Sequence, residues 1–133
     1  MGPRPGARAS GHRLSSALLA ALHHGKTLEI RAGARPHRFI GIWVVVVDGR
    51  AFVRSWSLKP RSWWRTFLAD PRGAIRVGGR SIAIRAVRTR SERLKRAVDR
   101  AYLAKYGTGG SRRFAVDLGR PRSRATTTEL VPL

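Results

Sequence analysis

The chain has 133 residues, enough for one domain that buries about two thirds of the surface its unfolded form would expose. An apolar content of 42% excludes a disordered basic protein, the absence of cysteine excludes disulfides and thiolate chemistry, and no stretch approaches the roughly 18 apolar residues of a membrane span. The formal charge is +21, with 24 arginines against 4 lysines, and the cations run along the whole chain. Such a diffuse distribution predicts weak, non-specific attraction to polyanions rather than the clustered stripe of a dedicated nucleic-acid binder.

Residues 1–12 form a Gly/Pro/Arg tail expected to be disordered, ahead of a single domain over 13–133. Arg4, Arg8 and Arg13 precede the apolar stretch Leu14–Leu22, but Ser15 and Ser16 interrupt it and no small-x-small cleavage pattern follows. No signal peptide is therefore expected, and the expected location is cytoplasmic. Leu14, Leu18, Leu19 and Leu22 fall at helical spacing and predict a short helix ending near Gly25. Thr27–Arg31 alternates as a strand. Residues 38–47 predict a stronger one, with Phe39, Trp43, Val45 and Val47 on one face and Ile40, Ile42, Val44 and Val46 on the other. Two apolar faces predict a central strand, covered by barrel core on one side and by a helix or a second subunit on the other. Asp48-Gly49 signals a two-residue hairpin to a partner strand at Ala51–Trp56.

A helix over Ser62–Ala69 is expected to stop at Asp70-Pro71, since proline disfavours helical geometry in the residue before it. Ala74–Val77, Gly78-Gly79 and Arg80–Arg88 predict a second hairpin. Thr89 and Glu92 have the spacing of a capping box for a helix that places Leu94, Val98, Ala101 and Tyr102 on one face and ends at Gly107. Phe114–Leu118 and Ala125–Val131 read as two closing strands around an Arg/Pro-rich loop. The sum is a mainly β chain with inserted helices: a small antiparallel split barrel with two to three helices.

Few residues carry catalytic patterns. There is no GxGxxG or GxxxxGK[ST] phosphate loop, no HExxH, and no G-x-S-x-G elbow. His12, His23, His24 and His37 have no carboxylate cluster beside them, so no metal site is expected. Asp48, Asp70 and Asp99 read as turn, helix-end and helix-surface residues. Hydrolysis is not expected, and any catalysis would be a cofactor's, with the protein binding and orienting it. Cations and hydroxyls do gather where the second hairpin strand hands over to the helix: Arg54, Ser55, Lys59, Arg61 and Ser62. A phosphate-bearing ligand needs such a set, because guanidinium forks and hydroxyls donate to its oxygens.

The string from Trp43 to Val87, with its strand, turn, strand, basic loop, helix and Asp70-Pro71-Arg72, resembles the flavin-binding split-barrel superfamily. That superfamily includes pyridoxamine phosphate oxidase-like and deazaflavin-dependent nitroreductase-like proteins. Tyr102–Gly107 and Ala125–Val131 extend the similarity to a bacterial family of unknown function within it, over residues 26–132. The resemblance implies an FMN- or deazaflavin-dependent oxidoreductase that transfers hydride to a small acceptor. It implies a phosphate held by Arg54, Ser55, Lys59, Arg61 and Ser62, with Trp56, Trp63 and Trp64 flanking the ring; a homodimer is expected from the two apolar faces of residues 38–47, which so few helices cannot cover. The chain departs from the oxidases in having Ser55-Trp56 where they carry a threonine-asparagine pair. The alternative is a cofactor-free module whose basic surface binds nucleic acid or another polyanion.

Overall fold

Serine side chains cap the starts of the three longer helices, and a computed structural model of the chain describes residues 13–33 and 38–133. The expected disordered tail over 1–12, with His12, and also His37 lie outside the described residues. Helix α1 (Ser16–His24) starts at Ser15, whose Oγ accepts the Leu18 N–H at 3.2 Å, and ends where the Gly25 N–H donates to the Ala21 carbonyl. Strand β1 (Leu28–Ala32) turns Leu28, Ile30 and Ala32 inward. Strand β3 (Val44–Val47) and β4 (Arg50–Val53) form the expected hairpin, with Asp48 and Gly49 at φ 53° and 69° as a type I′ turn requires. Helix α2 (Trp63–Ala69) is capped by Ser62, whose Oγ accepts the Arg65 N–H. Gly78 and Gly79, both at positive φ, join β5 (Arg72–Val77) to β6 (Arg80–Arg88). Helix α3 (Glu92–Tyr106), α4 (Arg112–Asp117), α5 (Pro121–Arg124) and β7 (Thr128–Pro132) complete the chain.

The seven strands make one antiparallel sheet in the order β2-β1-β5-β6-β7-β4-β3, where β2 is Ile40–Ile42. Its two edges, β2 and β3, are consecutive pieces of one segment that breaks at Trp43. The first piece pairs with β1 and the second with β4, so the segment bends across the gap and the sheet becomes a nearly closed barrel. The expectation of one central strand over 38–47 is thereby corrected. A straight strand of that length can pair along only one line, whereas the break at Trp43 lets the same residues serve both edges.

Two apolar clusters follow from strand alternation. Leu28, Ile30, Val44, Val53, Ile75, Ile84 and Leu130 fill the barrel, with Leu22 of α1 and Phe67 of α2 in the same cluster. On the outer side of β3 and β4, Val45 and Phe52 pack under Leu94, Val98, Tyr102 and Tyr106 of α3 and under Ala115 and Leu118. The second apolar face is covered by the chain's own helices, which removes the reason for assigning it to a second subunit.

Three further expectations are corrected. Phe114–Leu118 is helix, not strand: Ala115 and Leu118, three apart, are the buried pair, and Val116 is 41% exposed. Ala125–Val131 shortens to β7, and the preceding Arg/Pro loop is helix α5, with Pro121 at its first position where a missing N–H costs nothing. The cap of α3 is Ser91, accepting the Leu94 N–H at 3.2 Å. Thr89 instead continues the sheet, its N–H donating to the Thr127 carbonyl and its side chain buried. The short C-terminal helices bring the described helices to five, beyond the two to three expected.

Candidate functional site

The stretch from Arg54 to Trp63 leaves the barrel at the end of β4 and is folded by its own hydroxyls. The Ser55 N–H donates to Thr126 Oγ1 at 2.8 Å, and Ser55 Oγ donates to the Ser57 carbonyl at 2.7 Å. The Lys59 N–H reaches Ser57 Oγ, the Ser62 N–H reaches the Lys59 carbonyl, and Arg65 Nε ties the turn back to the Leu58 carbonyl at 3.0 Å. Helix α2 is seated by contact of Phe67 with Gly73 of β5, where a Cβ would lie 2.8 Å from the ring and 2.5 Å from the Arg31 carbonyl oxygen. Trp63 then packs edge-on against Phe67 at 6.0 Å.

This arrangement encloses a cavity of about 350 Å³. Its apolar wall is Trp43, Trp56, Trp63, Ile40, Ile42 and Leu118, and its polar groups come from Ser55, Ser57, Arg61 and Ser62. Trp43, at the break between β2 and β3, lies flat on Tyr106 with ring centroids 4.0 Å apart and planes 1° apart. Tyr106 Oη in turn accepts the Val44 N–H and donates to the Lys26 carbonyl at 2.6 Å. One face of the indole is thus fixed by a tethered ring, and only its other face or its edge can meet a ligand. Trp56, 53% exposed, stands 6.3 Å from Trp43 and packs edge-on against Phe114. Behind Trp43, Lys105 Nζ donates to the Leu22 and Val44 carbonyls at 2.7 and 2.8 Å, and desolvation lowers its pKa to about 8.

Arg54, Ser55, Trp56, Arg61, Ser62 and Trp63 therefore all line one cavity, as does Trp43, which sequence reasoning treated as strand core. Lys59 does not line it; it lies along an adjoining shallow groove with Trp56, Ser57, Leu58 and Arg122. Trp64 turns away, under the guanidinium of Arg65. Arg54 lines the wall, but its side chain is fully buried and four of its N–H donors are engaged by the protein. Nε donates to Thr127 Oγ1 at 2.8 Å, Nη1 to Asp99 Oδ1 at 2.6 Å and to the Leu118 carbonyl, and Nη2 to the Lys95 carbonyl. Desolvation lowers its pKa, against the opposing pull of Asp99, yet a guanidinium stays charged at any ordinary pH. Arg61, in contrast, makes no hydrogen bond, ion pair or ring contact among the described residues, and its guanidinium is available to a ligand.

Among the described residues, no aspartate, glutamate or histidine lines this cavity. Its side chains can stack, donate and balance negative charge, but they offer no general base. Among the described residues no three His, Asp or Glu side chains gather to hold a metal, and no helix is long and apolar enough to cross a membrane.

Residues 19–130 match a family described as uncharacterized protein conserved in bacteria (DUF2255). A comparison with curated protein sequences gives no match. Among solved structures the chain is similar to the crystal structure of the conserved hypothetical protein Rv2991 from Mycobacterium tuberculosis. The identity is 14%, the TM-score 0.51, and the match covers 100% of this chain and 85% of that one, a likeness of fold alone.

Proposed function

We propose that this chain, which belongs to the bacterial family DUF2255, binds a flavin-type nucleotide, FMN or a deazaflavin, in the cavity between Trp43, Trp56 and Trp63. The observation that carries the reading is the pairing of three indoles with an Arg61 that has no partner among the described residues, around one space those residues leave free of acids. A planar conjugated ring gains from stacking on indole faces, and a phosphate gains from a charge-assisted guanidinium contact. The residues present fit such a group. The volume lies at the small end of the usual range for ligand sites, roughly 300–1,000 Å³, and no carboxylate stands there to repel a phosphate. Arg61 and Ser62 are the phosphate donors in this reading, and Arg54 holds the wall in place.

When bound, such a group supplies hydride chemistry that no side chain of the cavity offers. The chain's own part is to fix the ring against Trp43, whose position Tyr106 secures, and to balance the phosphate charge with Arg61. Trp56, half-exposed at the mouth, shields the ring from water.

The test is titration of the purified protein with FMN and with a deazaflavin, followed by flavin absorbance and tryptophan quenching. Saturable binding is expected, with Arg61→Ala weakening it about tenfold, the low end for a charged hydrogen bond. Arg80→Ala, at the β5–β6 turn, should leave it unchanged. No saturation with either nucleotide at millimolar concentration would defeat the proposal.

A further inference from the structure

A second cleft adjoins the first, on the far side of Trp63. Its volume is about 570 Å³, and it lies between β1, β2 and α2. Ile40, Arg61 and Trp63 line both spaces, so a ligand in one would sit across a single layer of side chains from a ligand in the other. Ile30, Ile40 and Trp63 give the second cleft apolar walls, and Arg38 and Arg61 give it two guanidinium groups. Like Arg61, Arg38 makes no hydrogen bond, ion pair or ring contact among the described residues.

That availability is informative, because each of the seven acidic residues is already in an ion pair: Glu29 with Arg76, Asp48 with Arg93, Asp70 with Arg72, Glu92 and Asp99 with Arg124, Asp117 with Arg120 and Glu129 with Arg50. No carboxylate lines this cleft either. Two like charges line an apolar space with no carboxylate among the described residues beside them, which leaves both available to a bound anion. Water-exposed guanidinium groups are tolerated singly, but a pair flanking an apolar wall favours an anion whose body can cover that wall.

We infer that the second cleft binds a small organic carboxylate with a flat apolar body, held by Arg38 and Arg61 and lying against Trp63. The inference rests on the nucleotide reading for its neighbour: with the nucleotide phosphate on Arg61, the cleft's own cation is Arg38. It assigns the anion bound beside that site to the class of flat-bodied aromatic monocarboxylates. Neutral molecules of the same shape leave the two charges unbalanced and are discriminated against, and larger polyanions do not reach the apolar wall.

Calorimetric titration with a naphthoate, alone and with FMN present, tests this. One saturable site is expected in both conditions. Arg38→Gln, at an exposed position with no hydrogen bond or ion pair among the described residues, should weaken naphthoate about tenfold, and the matching naphthol should bind the parent about as weakly as naphthoate binds that variant. Arg80→Gln makes the same change in net charge and should leave naphthoate affinity unchanged. Displacement of naphthoate by FMN, equal affinities for Arg38→Gln and Arg80→Gln, or absence of saturation would each overturn the inference. Saturable, Arg38-dependent naphthoate binding by a protein that binds neither FMN nor a deazaflavin would uphold the anion site and defeat the nucleotide reading separately.

Discussion

Replacing Arg54 with alanine removes a guanidinium that joins four parts of the molecule: β4 by its own backbone, α3 through Asp99 and the Lys95 carbonyl, the end of α4 through the Leu118 carbonyl, and the start of β7 through Thr127. Removing one partner of a buried pair costs about 3–5 kcal/mol. Asp99 keeps Arg124 at 3.1 Å and is 29% exposed, which moves the figure to the lower end. The carbonyls of Lys95 and Leu118 and the Thr127 hydroxyl lose a donor at about 1 kcal/mol each, a cost that overlaps the first. A total of about 3–4 kcal/mol is a large share of a typical stability of about 5–15 kcal/mol, and at about 4 °C per kcal/mol it lowers Tm by about 12–16 °C. Arg54→Lys keeps a charge near Asp99 but cannot span the carbonyls, and should lie about halfway. Urea and thermal denaturation measure both variants, and an Arg54→Ala/Asp99→Ala cycle should return a coupling above about 1 kcal/mol. A variant as stable as the parent, with flavin affinity nonetheless down tenfold, would refute this role and return the guanidinium to the ligand.

Gly73→Ala places a methyl against the Phe67 ring and the Arg31 carbonyl, and overpacking of this kind costs about 1–3 kcal/mol. Because the same contact seats α2, the urea midpoint and flavin affinity should fall together. Lys105 has a folded pKa of about 8, below its ordinary value through desolvation, so the folded state binds fewer protons than the unfolded state above that pH. Stability should therefore rise from about pH 8 to about pH 10. Beyond that, Tyr102 and Tyr106, whose hydroxyls burial holds above their ordinary value, bring it down again. Lys105→Met should flatten the rise in denaturation midpoints. Binding to duplex DNA should be sequence-independent and collapse between low and moderate salt, as counterion release dictates; a salt-resistant preference for one sequence in fluorescence anisotropy would promote the polyanion reading.

Turn chemistry and alternation were legible from sequence because they are local. Asp48-Gly49 and Gly78-Gly79 can be read as type I′ turns from the residues alone, α2 follows from its Asp70-Pro71 stop, and α3 follows from its apolar spacing, though not its cap. The break at Trp43 was not legible: every residue from Phe39 to Val47 except Gly41 is apolar, so nothing local marks where pairing passes from β1 to β4. Phe114–Leu118 failed for a related reason. Its apolar residues satisfy both a period of two and a period near 3.6, and only the packing of Ala115 and Leu118 under α3 decides between them. At the candidate site, sequence proximity gathered six residues that do line one cavity, but it cannot tell a guanidinium facing the cavity from one engaged behind it. Arg54 and Arg61 look alike in the sequence and differ through the distant partners that engage Arg54: Asp99, 45 positions downstream, Thr127 and the Lys95 and Leu118 carbonyls.

That no acid or histidine among the described residues lines the cavity has a consequence for pH. Between about pH 5 and 7 the groups that ordinarily titrate are histidine, shifted carboxyls and the second ionisation of a phosphate monoester, near pH 6. The described cavity contributes none of the first two, and its cation, an arginine, stays charged throughout. Any pH dependence of nucleotide affinity in that range then belongs to the ligand. FMN affinity should rise through about pH 6, as the dianion that Arg61 favours forms, and stay level to about pH 7, below the range in which Lys105 behind Trp43 titrates. Riboflavin, which lacks the phosphate, should bind more weakly and with no pH dependence, and Arg61→Ala should bring FMN close to the riboflavin profile. A pH-dependent riboflavin affinity would mean that a titrating side chain acts at the site, and an FMN profile unchanged by Arg61→Ala would mean that the phosphate is held elsewhere.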